Sequence, residues 1–299
     1  MRVLALFLLL MPRPAFAHTG HLHWWEIGTT WTWNPWVVVP LALSAILYAL
    51  GTANLWRHAG YGRGVRAWQA LCFAGGWLLL FGALVAPLHW LGERLFAAHM
   101  IEHEILMAVA APLIALSRPA GSMLWALPAD WRGSVGSVGQ TPSFVAAWSR
   151  LTDPRIATVV HGTSLWAWHA PPLYNAALAN SFVHWLQHVS FLVTALLFWW
   201  ALLRGRGRER GYGGAVFYLF LTALHSGFLG VLITFSRWMI YPLQSLTAAE
   251  WGLDPMEDQQ LAGLIMWVPA GMVYAVAALI LAGVWIGQAG TGKGGASGR

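Results

Sequence analysis

The stretch FVHWLQHVSFLVTALLFWWALL (182–203) contains no Asp, Glu, Lys or Arg and runs straight into RGRGRERG (204–211). At 1.5 Å per residue, an apolar helix of this length crosses a hydrocarbon core of about 30 Å. A strand with an open edge would leave backbone N–H and C=O groups unpaired in lipid. The stretch therefore reads as a transmembrane helix, with the Arg run as its anchor at an anionic leaflet. Six further apolar segments read the same way, near 35–56, 68–88, 94–116, 155–169, 214–236 and 259–286. Together they predict an all-α, polytopic membrane bundle of about seven transmembrane helices over residues 35–286. The fourth segment is short and ends at Pro171-Pro172, which implies an earlier start or a tilt.

Composition agrees. Of 299 residues, 58% are hydrophobic and only 9% are charged, against about 25% charged in a soluble domain. That excludes a soluble enzyme and a disordered tail protein. The formal charge of +6 comes from Arg between apolar runs, so it indicates membrane lipid as a partner and no nucleic acid. A single cysteine, Cys72, excludes an internal disulfide and a Cys-rich metal site.

The chain starts MRVLALFLLLMPRPAFA (1–17): one Arg, a short apolar run, then Ala15-Phe16-Ala17. This is the pattern of a signal peptide with a small-x-small cleavage site. It predicts that 18–34 form a periplasmic arm, in which His18, His21 and His23 are candidate ligands for a secondary metal. The Arg distribution gives the same orientation. Arg57, Arg63, Arg66, Arg118, Arg132, Arg150 and the 204–210 run fall in alternate loops, and the loops between them hold only Arg94 and Arg237. The positive-inside rule then puts the N-terminus outside and the C-terminus, with a flexible tail at 287–299, in the cytoplasm. The predicted location is the bacterial inner membrane, multi-pass.

Of twelve His, this topology puts all but His58 and His161 on or near the outer side. His99/His103 and His184/His188 are spaced i, i+4, so each pair presents two imidazoles from one helix face. His169, His225 and Asp258 lie at comparable depth. Imidazole ligates copper, zinc and iron, and a membrane-embedded His needs an interior partner. The predicted metal ligands are His99, His103, His169, His184, His188, His225 and Asp258. Met266 is a secondary thioether candidate, and Glu102 could act as an outer partner that fixes a His tautomer. Asp258 equally suits an N-terminal helix cap. Trp90, Trp168, Tyr174, Trp185, Trp238, Tyr241 and Trp267 read as interfacial belt residues.

HMIEHEILMAVAAPLIALSRP (99–119), WHAPPLYNAAL (168–178), HWLQH (184–188) and DQQLAGLIMWVP (258–269) resemble the CtaG-type cytochrome c oxidase assembly factors, the multi-span family. The resemblance covers most of residues 35–286. It implies seven spans and a role in maturing haem–copper oxidases by supplying copper. It also implies an oxidase subunit as partner and a periplasmic copper donor, with His99, His103, His169, His184, His188 and Asp258 at the family's polar positions. Glu102 departs from the Gln expected in that pattern, which leaves the ligand set open. Two other readings stay open: a zinc-dependent membrane hydrolase with Asp258 or Glu102 as general base, and a bis-His haem protein.

Overall fold

Proline opens seven of the twelve helices among the described residues. Pro has no N–H to lose at a first helical position, and its φ is already helical. In the computed structural model, which describes residues 30–204 and 212–293, α1 (Pro35–Ala59) opens on such a proline. Its N-cap is Asn34, whose Oδ1 accepts from Trp36 N at 3.0 Å. Then come α2 (Ala67–Leu84), the short α3 (Pro87–Gly92) and α4 (Phe96–Ser117). Three short helices follow: α5 (Pro119–Leu124), α6 (Ala129–Val138) and α7 (Pro142–Leu151). The remaining elements are α8 (Pro154–His169), α9 (Pro171–Ala179), α10 (Ser181–Arg204), α11 (Gly213–Thr234) and α12 (Pro255–Lys293). No strand occurs among the described residues.

All seven predicted segments are helical, and six helices are long and apolar enough to cross a membrane: α1, α2, α4, α10, α11 and α12. The fourth, α8, has 16 residues, about 24 Å of helix. It stops at His169 because Ala170 precedes Pro171, and a residue before proline is forced out of the helical region. The last helix runs to Lys293, beyond the predicted end at 286. The 1–17 leader and the 18–34 arm with His18, His21 and His23 lie outside the described residues, apart from 30–34.

Five helices close a ring: α4 packs on α12, α12 on α11, α11 on α8, α8 on α10, and α10 back on α4. α2 lies against the outer side of α4, and α1 packs on α2 and α5. Inside the ring, Phe191, Phe198, Trp199, Leu106, Met107 and Tyr274 are buried together. Within α4, residues Ile105–Ala110 take a π-helical turn directly after Glu104. Such a wide turn often accompanies a functional site. Trp199 Nε1 donates to the Met107 carbonyl in this turn at 2.9 Å, which ties α10 to α4.

α11 and α12 cross almost backbone on backbone. A Cβ on Gly230 would meet Gly263 O at 2.7 Å and Trp267 N at 2.8 Å; one on Gly263 would meet Thr234 Oγ1 at 2.5 Å. Small residues permit this approach in a bilayer, where close packing rather than hydrophobic burial holds helices together. Gly263→Ala is expected to push the two helices apart and lower stability by about 1–3 kcal/mol, the usual range for overpacking. Thermal unfolding in detergent micelles measures it; an unchanged midpoint would rule out the tight crossing.

Candidate functional site

The first turns of α4 and α10 and the last turn of α8 meet at one end of the ring. Each brings His there. On α4, the i, i+4 spacing stacks His99 over His103, with ring centroids 4.2 Å apart. On α10, His184 and His188 lie 4.5 Å apart. The two pairs interleave: His99 is 5.3 Å from His184 and 5.8 Å from His188, and His103 is 5.1 Å from His188. His169, at the end of α8, reaches His103 at 6.2 Å. Five of the predicted ligands therefore come together from three helices. His99, His103, His169 and His188 are each 6% exposed or less.

Hydrogen bonds orient the rings. His169 Nδ1 lies 2.7 Å from Leu165 O, and His188 Nδ1 lies 3.2 Å from His184 O. Only a protonated Nδ1 can donate to a carbonyl, so both rings present Nε2 as a lone pair. Metal-ligating histidines commonly use this arrangement. Among the described residues, both nitrogens of His99 and of His103, and Nε2 of His169 and His184, are buried with no hydrogen-bond partner. Buried polar atoms without partners are rare, because each forfeits its hydration. Such atoms occur elsewhere among the described residues too, His225 included, but these belong to imidazoles whose ring centroids lie 4.2–6.2 Å from a neighbouring imidazole.

Glu102 sits at the edge of this cluster and is fully buried. Its Oε1 is 2.7 Å from His89 Nδ1 and 3.3 Å from His188 Nε2. The second contact lies within ion-pair range but lacks hydrogen-bond geometry, since His188 Nε2 remains without a hydrogen-bond partner. A carboxylate and an imidazole lone pair that close repel each other unless a cation or a proton lies between them. One donor atom from each of His89, Glu102 and His188 falls within a 4.8 Å group able to hold a metal ion. Gly92 makes room for the carboxylate: a Cβ there would stand 2.9 Å from Glu102 Oε2. Burial pulls the His89 pKa down, but the Glu102 carboxylate outweighs it and holds it up at about 9.

His89, on the outer side by the topology read from the sequence, is not among the predicted ligands. In the fold, α3 turns it back over the cluster, 5.5 Å from His184 and 5.8 Å from His188. No spacing rule relates it to Glu102, because the two lie on different helices. Tyr174 and Tyr241 also differ from the belt reading. Both are buried, with ring centroids 4.5 Å apart, and Tyr174 lies 5.7 Å from His99. They form an apolar wall of the site.

His225 stands apart from the others. Its ring lies on the backbone of α8, where a Cβ on Gly162 would meet it at 3.3 Å. Gly162 precedes His169 by seven residues, about 10 Å along the helix. Met266 is buried in the apolar core.

Asp258 is a cap, though not of its own helix. Its Oδ2 accepts from Phe96 N at 2.8 Å and from Ser245 Oγ at 2.9 Å, and its Oδ1 accepts from Ala97 N at 2.9 Å. A carboxylate here satisfies the free amides at the start of α4 and complements its dipole. Gln259 Oε1 accepts from Ile240 N at 2.7 Å, and its Nε2 donates to Trp238 O at 3.1 Å. Tyr241 Oη donates to His169 O at 2.6 Å, and Gln244 Nε2 to Gly92 O at 2.7 Å. These bonds stitch the loop before α12 over the histidines.

Residues 46–288 match the family model described as cytochrome c oxidase caa3 assembly factor. The chain belongs to this family of cytochrome c oxidase assembly factors. The His cluster lies within the matched residues, where α4 and α10 begin and α8 ends. The chain is also similar to an uncharacterized protein of Mycobacterium bovis and to one of Mycobacterium tuberculosis. Each is 26% identical over 252 residues, covering 81% of this chain and 37% of the relative. The chain thus spans little more than a third of the length of these curated relatives. No solved structure matches it.

Proposed function

We propose that this assembly factor binds copper as cargo at the His cluster and passes it to a haem–copper oxidase subunit, without catalysing a reaction. The observation that carries the reading is the set of unpartnered imidazole nitrogens on His99, His103, His169 and His184, converging from three helices beside the buried Glu102. Imidazole suits copper, and a set of donors larger than one ion needs favours stepwise exchange of ligands. Neighbouring ring centroids only 4.2–5.3 Å apart support short steps between donors. In this reading the cluster faces the periplasmic side of a bacterial inner membrane. The arm with His18, His21 and His23 takes copper from a periplasmic donor and hands it inward.

The test is a strain lacking the protein. Its oxidase is expected to retain haem but lose copper, and a copy carrying His99→Ala and His103→Ala is expected not to restore it. Normal copper content in the oxidase of the deletion strain would overturn the proposal. A second reading, zinc hydrolysis, draws on the Glu102, His89 and His188 grouping, in which a carboxylate beside a metal can serve as general base. Zinc in the purified protein together with hydrolytic turnover would favour it.

A further inference from the structure

At the opposite end of α4 and α10 from the histidines lies a recess of about 530 Å³. His99 and Arg118 are nineteen residues apart, so the recess is about 28 Å from the cluster along the helix. Two arginines line it, Arg118 and Arg204, and no lining residue among those described is acidic. Arg204 Nη2 donates to the Leu116 carbonyl at 2.8 Å, which holds its head at the C-terminal end of α4. Arg118 sits at the break between α4 and α5 with φ 56° and ψ 55°, and it is the non-glycine residue with positive φ among those described. A side chain rarely keeps this left-handed conformation, and such residues concentrate at ligand sites.

The rest of the wall is apolar and aromatic: Leu55, Val65, Trp125 and Trp200. A small hydrated anion gains nothing from such a wall, whereas an amphiphile gains from both parts. The recess also opens where the spans end, the level at which headgroups lie and Trp is favoured. Leu55 belongs to α1, and on a neighbouring face of the same helix Leu43, Ile46 and Leu50 are all more than half exposed and offer apolar surface to acyl chains. We propose that the recess binds the phosphate of an anionic phospholipid, with Arg118 and Arg204 on the headgroup and the chains along α1. Basic pockets between membrane helices recognise lipid phosphate in this manner.

The test is native mass spectrometry of the full chain, purified in detergent and mixed with phosphatidylglycerol or with phosphatidylcholine. The wild type is expected to retain phosphatidylglycerol selectively. Arg118→Gly removes the charge and suits the left-handed backbone, so it keeps the fold. It is expected to lower phosphatidylglycerol retention about fivefold or more, in line with the contribution of one Arg near a membrane surface, and to leave phosphatidylcholine unchanged. Arg204→Gln is expected to act in the same direction. Wild-type retention by both variants would overturn the proposal. Displacement of the lipid by inorganic phosphate at equal concentration would also overturn it, by assigning the recess to a free anion.

Discussion

Purified protein carrying His99→Ala and His103→Ala is expected to bind cuprous copper at least ~100-fold more weakly than wild type, a larger loss than the 10–100-fold that changes to the partners of metal ligands produce. The two imidazoles contribute four buried nitrogens that the protein itself leaves unpartnered. They also bridge the other donors, since His99 contacts His184 and His103 contacts both His188 and His169. Removing them therefore empties the centre of the cluster rather than its rim. Stability is expected to change little, because each lost ring also removes polar atoms that were buried at a cost. Glu102→Gln serves as comparator. It keeps the shape but removes the charge beside His188 and His89, and is expected to weaken binding about 10–100-fold. Competition against a cuprous chelator, with metal analysis of the same samples, measures both. Undiminished metal content in the double variant would remove the basis for a His-held ion.

Asp258→Ala is expected to destabilise the protein by about 2–4 kcal/mol, combining the loss of a helix cap with that of charge-assisted bonds to buried donors. The carboxylate is fully buried and receives the amides of Phe96 and Ala97 and the hydroxyl of Ser245. Alanine leaves all three donors without an acceptor in an interior that cannot supply water. The first turn of α4 then frays, and with it the turn that carries His99. Asp258→Asn keeps one acceptor oxygen and is expected to fall between wild type and Ala. Thermal unfolding in detergent, read beside metal content, separates two roles for this residue. A cap predicts that stability and metal binding fall together. An Asn variant of wild-type stability that binds no metal would instead make Asp258 a ligand.

How far the sequence carries differs from residue to residue. The helices were legible because an apolar run in lipid has few ways to satisfy its backbone, and Pro171-Pro172 marked where the fourth one ends. The pairing within His99/His103 and within His184/His188 was legible too, since i, i+4 spacing stacks side chains on any helix. These are local properties, set by neighbours a few positions away. His225 fitted the same depth argument, yet its ring lies on Gly162, because depth says nothing about the direction in which a helix face points. Tyr174 and Tyr241 have the composition of belt residues but are buried against one another, which depends on how the loop before α12 folds back.

The amino-acid sequence alone determined a helical membrane bundle with histidines concentrated toward one side, because burial in lipid and helical periodicity act on each segment separately. Only the tertiary structure decided which groups meet. It set Asp258 on the amide of Phe96, 162 positions away, brought His89 over Glu102, and turned His225 elsewhere. Contacts between helices depend on crossing angles and rotations that arise from packing the whole ring, and no single segment encodes them.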